Sequence, residues 1–228
     1  MIYCNLKGGL CNMLFQIAAT KSLAIDNNTC FSFPNLISHL NYLNSDNHFN
    51  PKLKHSLEYL NLFDKLDHSP IQQDVRVLSF PFEYIEIGKI EEDTLIDGFF
   101  QSEKYFKHNR QPILDMFIFN FELDIKYNFF KKNKITSIHV RRGDYINYPN
   151  HHPTQSLEYY LESVKILERE TELFVVFSDD IHWCKENLKL DNIIYIENEK
   201  DYIELYLMSI CSHNIISNFF FFMVGEHG

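Results

Sequence analysis

Apolar residues along this chain recur in short β-branched runs set between stretches with helical spacing. The alternation is cleanest in the second half. Residues 135–140 read as a buried strand, 157–169 as a helix, 173–177 as a strand, 181–188 as a helix, 193–196 as a strand and 200–211 as a helix, with Ile215-Ile216 opening a last strand. Strands alternating with helices predict a parallel sheet with right-handed crossovers. The first half opens in the same way. Residues 2–6 predict a strand, Lys7-Gly8-Gly9 a turn that glycine fits easily, 13–25 a helix ended by Asp26-Asn27-Asn28, and 29–33 the next strand. From 34 to 93 the pattern is irregular and polar, with helical fragments such as 56–66. A strand at 94–100 and a helix start at 102–108 follow.

Residues 120–134 mix charge and aromatic rings without a clear period and end in Lys131-Lys132-Asn133-Lys134. That stretch is the natural domain boundary, with a first α/β domain at 1–130 and a second at 131–228. A chain of 228 residues has ample material for such cores.

Composition narrows the function more than the fold. With 45% hydrophobic and 23% charged residues the chain reads as a globular protein, and a net charge of −10 argues against a nucleic-acid-binding surface. The five cysteines, Cys4, Cys11, Cys30, Cys184 and Cys211, contain no C-x-x-C pair, so neither a disulfide framework nor a zinc ribbon is expected. The eleven histidines include His151-His152 but no H-E-x-x-H spacing, and no metal site is expected. No apolar run reaches the ~20 residues of a membrane span. Residues 1–6 lead straight into the glycine turn, so no signal peptide is expected.

The chemistry concentrates at His139-Val140-Arg141-Arg142-Gly143-Asp144-Tyr145. A strand ending in adjacent arginines places two guanidinium groups at the carboxyl edge of a sheet, where open α/β folds bind ligands. Arginine's planar fork suits a diphosphate, because parallel N–H bonds can hold two phosphate oxygens. The plain alternative is a pair of exposed arginines paired with local acids. Arg142-Gly143-Asp144 is also the adhesion tripeptide, but that motif needs an exposed loop tip rather than a strand end. Gly8-Gly9-Leu10-Cys11-Asn12 lies between a strand and a helix, where backbone N–H groups can approach an anionic or polar ligand. It serves equally to close a tight turn. Ser178-Asp179-Asp180 ends another strand and either bonds a nucleoside or caps the helix containing Trp183.

Taken in order, these segments resemble the α-1,2-fucosyltransferase family, glycosyltransferase family 11. The arginine segment is similar to the family's HxRRxD motif. Lys7 to Gln16, Asp97 to Phe106, Val176 to Asp180 with Trp183, and Ile215-Ile216-Ser217-Asn218 agree in order and approximate spacing. The resemblance implies a GT-B fold, two Rossmann-like domains facing a cleft, with acceptor binding in the first and GDP-fucose binding in the second. It implies inverting transfer of L-fucose from GDP-fucose to the 2-hydroxyl of a galactose-terminated glycan, without metal or other cofactor. In that scheme Arg141 neutralises the departing β-phosphate, with Arg142 and Asp144 supporting it. His139, Ser178, Asp179, Asp180, Ser217 and Asn218 line the donor site, and Gly8, Gly9 and Asn12 contact it from the first domain. Glu103 and Asp97 are the candidates for the base. Animal members carry a membrane anchor; here a cytoplasmic protein, or one peripheral to a membrane, is expected.

Two departures stand out. The family usually reads G-G-L-G-N-Q, and this chain has Cys11 for the third glycine and Met13 for Gln. After Ser217-Asn218, where relatives carry small hydroxyl residues, come Phe219 and Phe220, and the chain stops where relatives continue. The expectation is an incomplete second domain with weakened donor binding. The alternative function is therefore an impaired member that binds a nucleotide sugar or glycan without turning it over.

Overall fold

The computed structural model describes residues 1–45, 54–72, 74–90, 93–117, 124–150 and 152–217. The chain forms two compact units, Met1–Asn120 and Phe121–Gly228. This division falls earlier than the boundary at 130 drawn from the sequence. Packing explains the difference. Tyr127 and Phe130, on a 3₁₀ segment at Ile125–Lys131, belong to the core of the second unit.

The first unit is built on a sheet of β1 (Ile2–Cys4), β2 (Phe31–Ser32), β3 (Arg76–Ser79) and β4 (Thr94–Asp97). The strands lie in the order β2-β1-β4-β3, and every pairing is parallel. Helix α1 (Leu10–Asp26) follows β1 and is buried along much of its length, where Ala18 and Ala19 permit close approach. Helix α2 (Leu36–Asn44) and strand β3 fall in the stretch read from sequence as irregular. Edge position explains the strand: β3 pairs on one side only, and its residues are mostly exposed, so no apolar alternation marks it. The expected helix start at 102–108 is a pair of 3₁₀ turns leading into the short α3 (Arg110–Leu114).

The second unit contains β5 (Ile135–Val140), α4 (Leu157–Leu167), β6 (Leu173–Ser178), α5 (Ile181–Asn187), β7 (Ile193–Tyr195), α6 (Asp201–Ser209) and β8 (His213–Ile215). Its sheet is also all parallel, in the order β7-β6-β5-β8. Side chains alternate between two cores. Val175 and Phe177 pack with Leu207 and Met208 of α6, while Phe174 and Val176 pack with Tyr160 and Val164 of α4 and Cys184 of α5. Helices thus cover both faces, as a parallel sheet requires.

Strand order locates the crevices. In the second sheet β5, β6 and β7 run outward in one direction, and β8 lies on the other side of β5. The order reverses beside β5, and open α/β sheets bind ligands at such a switch point, outside the carboxyl ends of the strands. In the first sheet the reversal falls between β1 and β4.

Candidate functional site

Arg141 and Arg142 follow directly on β5, at the switch point of the second sheet. Neither guanidinium is left to its own flexibility. Arg141 donates through Nη1 to Oδ2 of Asp179 and through Nη2 to Oδ1 of Asp144. Asp179 uses its other oxygen to accept the backbone N–H of Arg142 at 2.9 Å. Nε of Arg142 donates to Oδ2 of Asp180 at 3.2 Å, and its guanidinium lies 4.1 Å from the Trp183 ring centroid. The guanidinium of Arg141 sits 4.8 Å over the ring of Tyr145. Each arginine is therefore fixed by carboxylate and aromatic face together, a combination that suits guanidinium better than ammonium.

The turn is shaped for these contacts. A Cβ on Gly143 would stand 2.3 Å from Oδ2 of Asp179, so a side chain there would collide with the carboxylate that holds Arg141. Ser178 accepts the N–H of Asp180 at 2.9 Å, and Asp180 caps α5 by accepting the N–H of Trp183 at 3.2 Å. The capping alternative is thus observed for Asp180, which also binds Arg142. Asp179 is the hub; its side chain is only 12% exposed, against 57% for Asp144.

His139 is buried. Its Nδ1 lies 3.0 Å from Oγ of Ser217, and the Ser217 N–H donates to the His139 carbonyl at 3.2 Å. Burial, and then the charge of Arg141, hold the imidazole down to about 4, so the ring is neutral at physiological pH. The structure thus brings Ser217 to His139. Asn218, Phe219 and Phe220 lie outside the described residues.

The glycine turn of the first unit is built differently. Gly8 has a φ of 72°, and a Cβ there would meet Nδ2 of Asn12 at 2.3 Å. Gln16, fully buried, accepts the N–H of Lys7 at 2.9 Å and donates to its carbonyl at 3.2 Å. Asn35 accepts from the Leu6 N–H and donates to the Leu6 carbonyl, and Nε2 of His39 lies 2.9 Å from the Gly8 carbonyl. Gly9 begins α1 as its N-cap. Asn12 accepts from Nε2 of Gln101 at 2.7 Å, and Lys7 pairs with Asp97, so the loops after β1 and β4 are tied together across the switch point. Cys11 is half-buried beside them. Gln16, Asn35, His39, Tyr145 and Trp183 brace these two turns in ways the sequence motifs do not reveal. Gln16, Tyr145 and Trp183 lie within the motif segments, while Asn35 and His39 carry no local signal.

Among the described residues there is no cluster of histidine, cysteine and carboxylate fit to hold a metal, and no helix long and apolar enough to cross a membrane.

The chain matches the family model described as Glycosyl transferase family 11 over residues 72–224. It belongs to that family. The match takes in the Asp97–Gln101 loop and both arginines, while Gly8, Gly9 and Asn12 precede it. Among relatives, the chain is 28% identical over 247 residues to an α-1,2-colitosyltransferase of Escherichia coli, an alignment covering 96% of this chain and 84% of the relative. It is 31% identical over 138 residues to the O-antigen biosynthesis glycosyltransferase WbnK of Escherichia coli, covering 53% of this chain and 46% of that protein. A crystal structure of the α-1,6-fucosyltransferase NodZ soaked with GDP-fucose aligns with a TM-score of 0.47 at 10% identity, over 93% of this chain and 86% of that one. As a family 11 glycosyltransferase, the chain carries its arginine pair within the stretch that the family model matches.

Proposed function

We propose that this family 11 enzyme transfers L-fucose from GDP-fucose to the 2-hydroxyl of a galactose-containing glycan, with inversion and without a metal. The observation that carries the reading is the pre-set pair Arg141–Arg142 at the switch point of the second sheet. In the step, the acceptor oxygen forms a bond to C1 of fucose while the bond from C1 to the β-phosphate oxygen breaks. The electron pair stays on the diphosphate, and the acceptor proton passes to a base. Negative charge grows on the leaving group, so fixed guanidinium groups stabilise the transition state more than the ground state. Arg141 is assigned to the β-phosphate. Arg142, Asp144, Asp179 and Asp180 set the geometry, and neutral His139, Ser178, Ser217 and Asn218 belong to the nucleoside side. In the first unit, Gly8, Gly9 and Asn12 are assigned to ligand contact, and Asp97 and Glu103 are the candidates for the base.

Local charge makes a demand on this scheme. Three carboxylates surround two guanidinium groups, so the site is not simply cationic. A guanidinium has five N–H donors, and one that holds two carboxylates can still receive a phosphate oxygen. Asp144, the more exposed partner, is the one free to yield.

A second donor is favoured by the similarity to a colitosyltransferase along nearly the whole chain. Transfer of colitose would use the same arginine pair if the sugar is likewise carried on GDP. The test is to supply GDP-fucose and GDP-colitose in turn with lactose, measuring GDP release and the linkage of the product by NMR. An α-1,2-linked product supports the proposal and names the donor. GDP binding without product from either donor would favour the impaired, ligand-binding alternative.

A further inference from the structure

We propose that the first unit carries an acceptor subsite in which the stacked rings of Phe82 and Phe99 receive the apolar face of a galactoside, an inference that rests on the transferase reading above. Phe82 is 72% exposed, and its ring stacks on Phe99 at 5.3 Å between centroids and 11° between planes. An exposed phenylalanine adds little to the core, yet this one is held in a defined orientation. The two rings enter just beyond the carboxyl ends of β3 and β4, which close at Ser79 and Asp97. β4 borders the switch point of the first sheet, where an open α/β fold takes its ligand.

The backbone supports this placement. Phe100 adopts a φ of 52°, a left-handed conformation uncommon for a bulky residue. Its ring is buried against Phe80 and Tyr105. Phe99, next to it, is half-buried and stacks with the exposed Phe82. Such unusual backbone is expected where a site must be shaped.

What surrounds the rings selects the ligand. The same strand ends carry the Lys7–Asp97 ion pair, with side chains 42% and 38% exposed, and the Gln101–Asn12 amide pair. A pyranose needs both features, an aromatic face for its C–H bonds and polar groups for its hydroxyls. Galactose suits the rings well, because its axial 4-hydroxyl leaves the C–H bonds at C3, C4 and C5 on one face. The acyl region of a lipid layer would bury the Lys7–Asp97 pair without offering it hydrogen-bonding partners.

The test uses the full chain with methyl β-D-galactopyranoside and lactose as probes, read by saturation-transfer NMR, beside separate GDP titrations. The wild-type chain should transfer saturation most strongly to H3, H4 and H5 of galactose. Phe82→Ala should weaken the galactoside about 5- to 10-fold, Phe82→Tyr should retain it, and GDP affinity should not change in either variant. Under turnover, Phe82→Ala should raise the KM for the galactoside and leave the KM for the donor alone. No saturation of either galactoside by the wild type, or equal binding by Phe82→Ala, overturns the subsite. Binding of phosphatidylcholine vesicles through Phe82 without galactoside binding overturns it too, and assigns the rings to a lipid surface. Galactoside binding through Phe82 without GDP binding would keep the subsite while the transferase reading fails.

Discussion

The glycine turn of the first unit and the arginine turn of the second occupy equivalent places, each following a central strand at the switch point of its own parallel sheet. They are held by opposite means. Around Gly8 the braces are Gln16, Asn35 and the imidazole of His39, which satisfy backbone groups and fix a main-chain shape. Around Arg141 and Arg142 the braces are the carboxylates of Asp144, Asp179 and Asp180 with the rings of Tyr145 and Trp183, which fix two side-chain charges. The first arrangement presents backbone donors in a set geometry. The second holds guanidinium groups in a set orientation, so less conformational freedom would be lost on binding the phosphate proposed for them. The same topological position thus serves shape in one unit and charge in the other.

The largest break in this comparison should come from Arg141→Ala. Removing the charge-assisted phosphate contact should lower transfer by about 10²-fold or more, measured as GDP release with a galactoside present. Arg141→Lys should recover little of it, because an ammonium lacks the bidentate fork. Asp179→Asn should lower the rate by about 10- to 100-fold with the fold intact by circular dichroism, because the hub of both arginines loses its charge. Gly143→Ala should approach the same phenotype, since its Cβ would lie 2.3 Å from the Asp179 carboxylate.

A pH experiment probes the buried end of the arginine strand. The unfolded chain accepts a proton on His139 near 6.5, whereas the folded chain resists it down to about 4. This contribution is therefore complete above pH 6.5 and is lost as the pH falls through that window. By pH 5 the loss should be about 2 kcal/mol in urea unfolding, and His139→Gln should flatten that part of the profile. On the other side of the comparison, Gly8→Ala should cost about 1–2 kcal/mol of stability, because alanine is strained in that backbone and meets Asn12. GDP affinity should fall less than in Arg141→Ala, since Gly8 is assigned to ligand contact while the arginine turn keeps its own braces.

Much of the second unit was legible in the sequence because its strands are central. β5 and β6 present unbroken apolar runs bounded by polar turns, and the arginines mark where β5 stops. β3 was not legible, since Arg76, Val77 and Ser79 are exposed on an edge and give no alternation. Helix α2 was hidden for a different reason: only Leu36, Leu40 and Leu43 are buried, too few over nine residues to stand out. Within the site, residue types were legible and their partners were not. Asp179 looked like a ligand contact at a strand end, and its fit against Gly143, with Arg141 on one oxygen and the Arg142 N–H on the other, depends on two strands meeting in space. His39 and Asn35 reach the glycine turn from another element, which no local pattern encodes.

The central claim is that Arg141 is a pre-set diphosphate contact acting without a metal. The direct measurement is a calorimetric titration of GDP and of guanosine into the wild-type chain and Arg141→Ala, all in EDTA. The wild type should bind GDP at least about 100-fold more tightly than guanosine, and Arg141→Ala should lose most of that difference. Undiminished GDP affinity in Arg141→Ala would contradict the assignment. GDP binding that returned only on adding Mg²⁺ or Mn²⁺ would contradict metal independence and point to Asp179 and Asp180 as ligands.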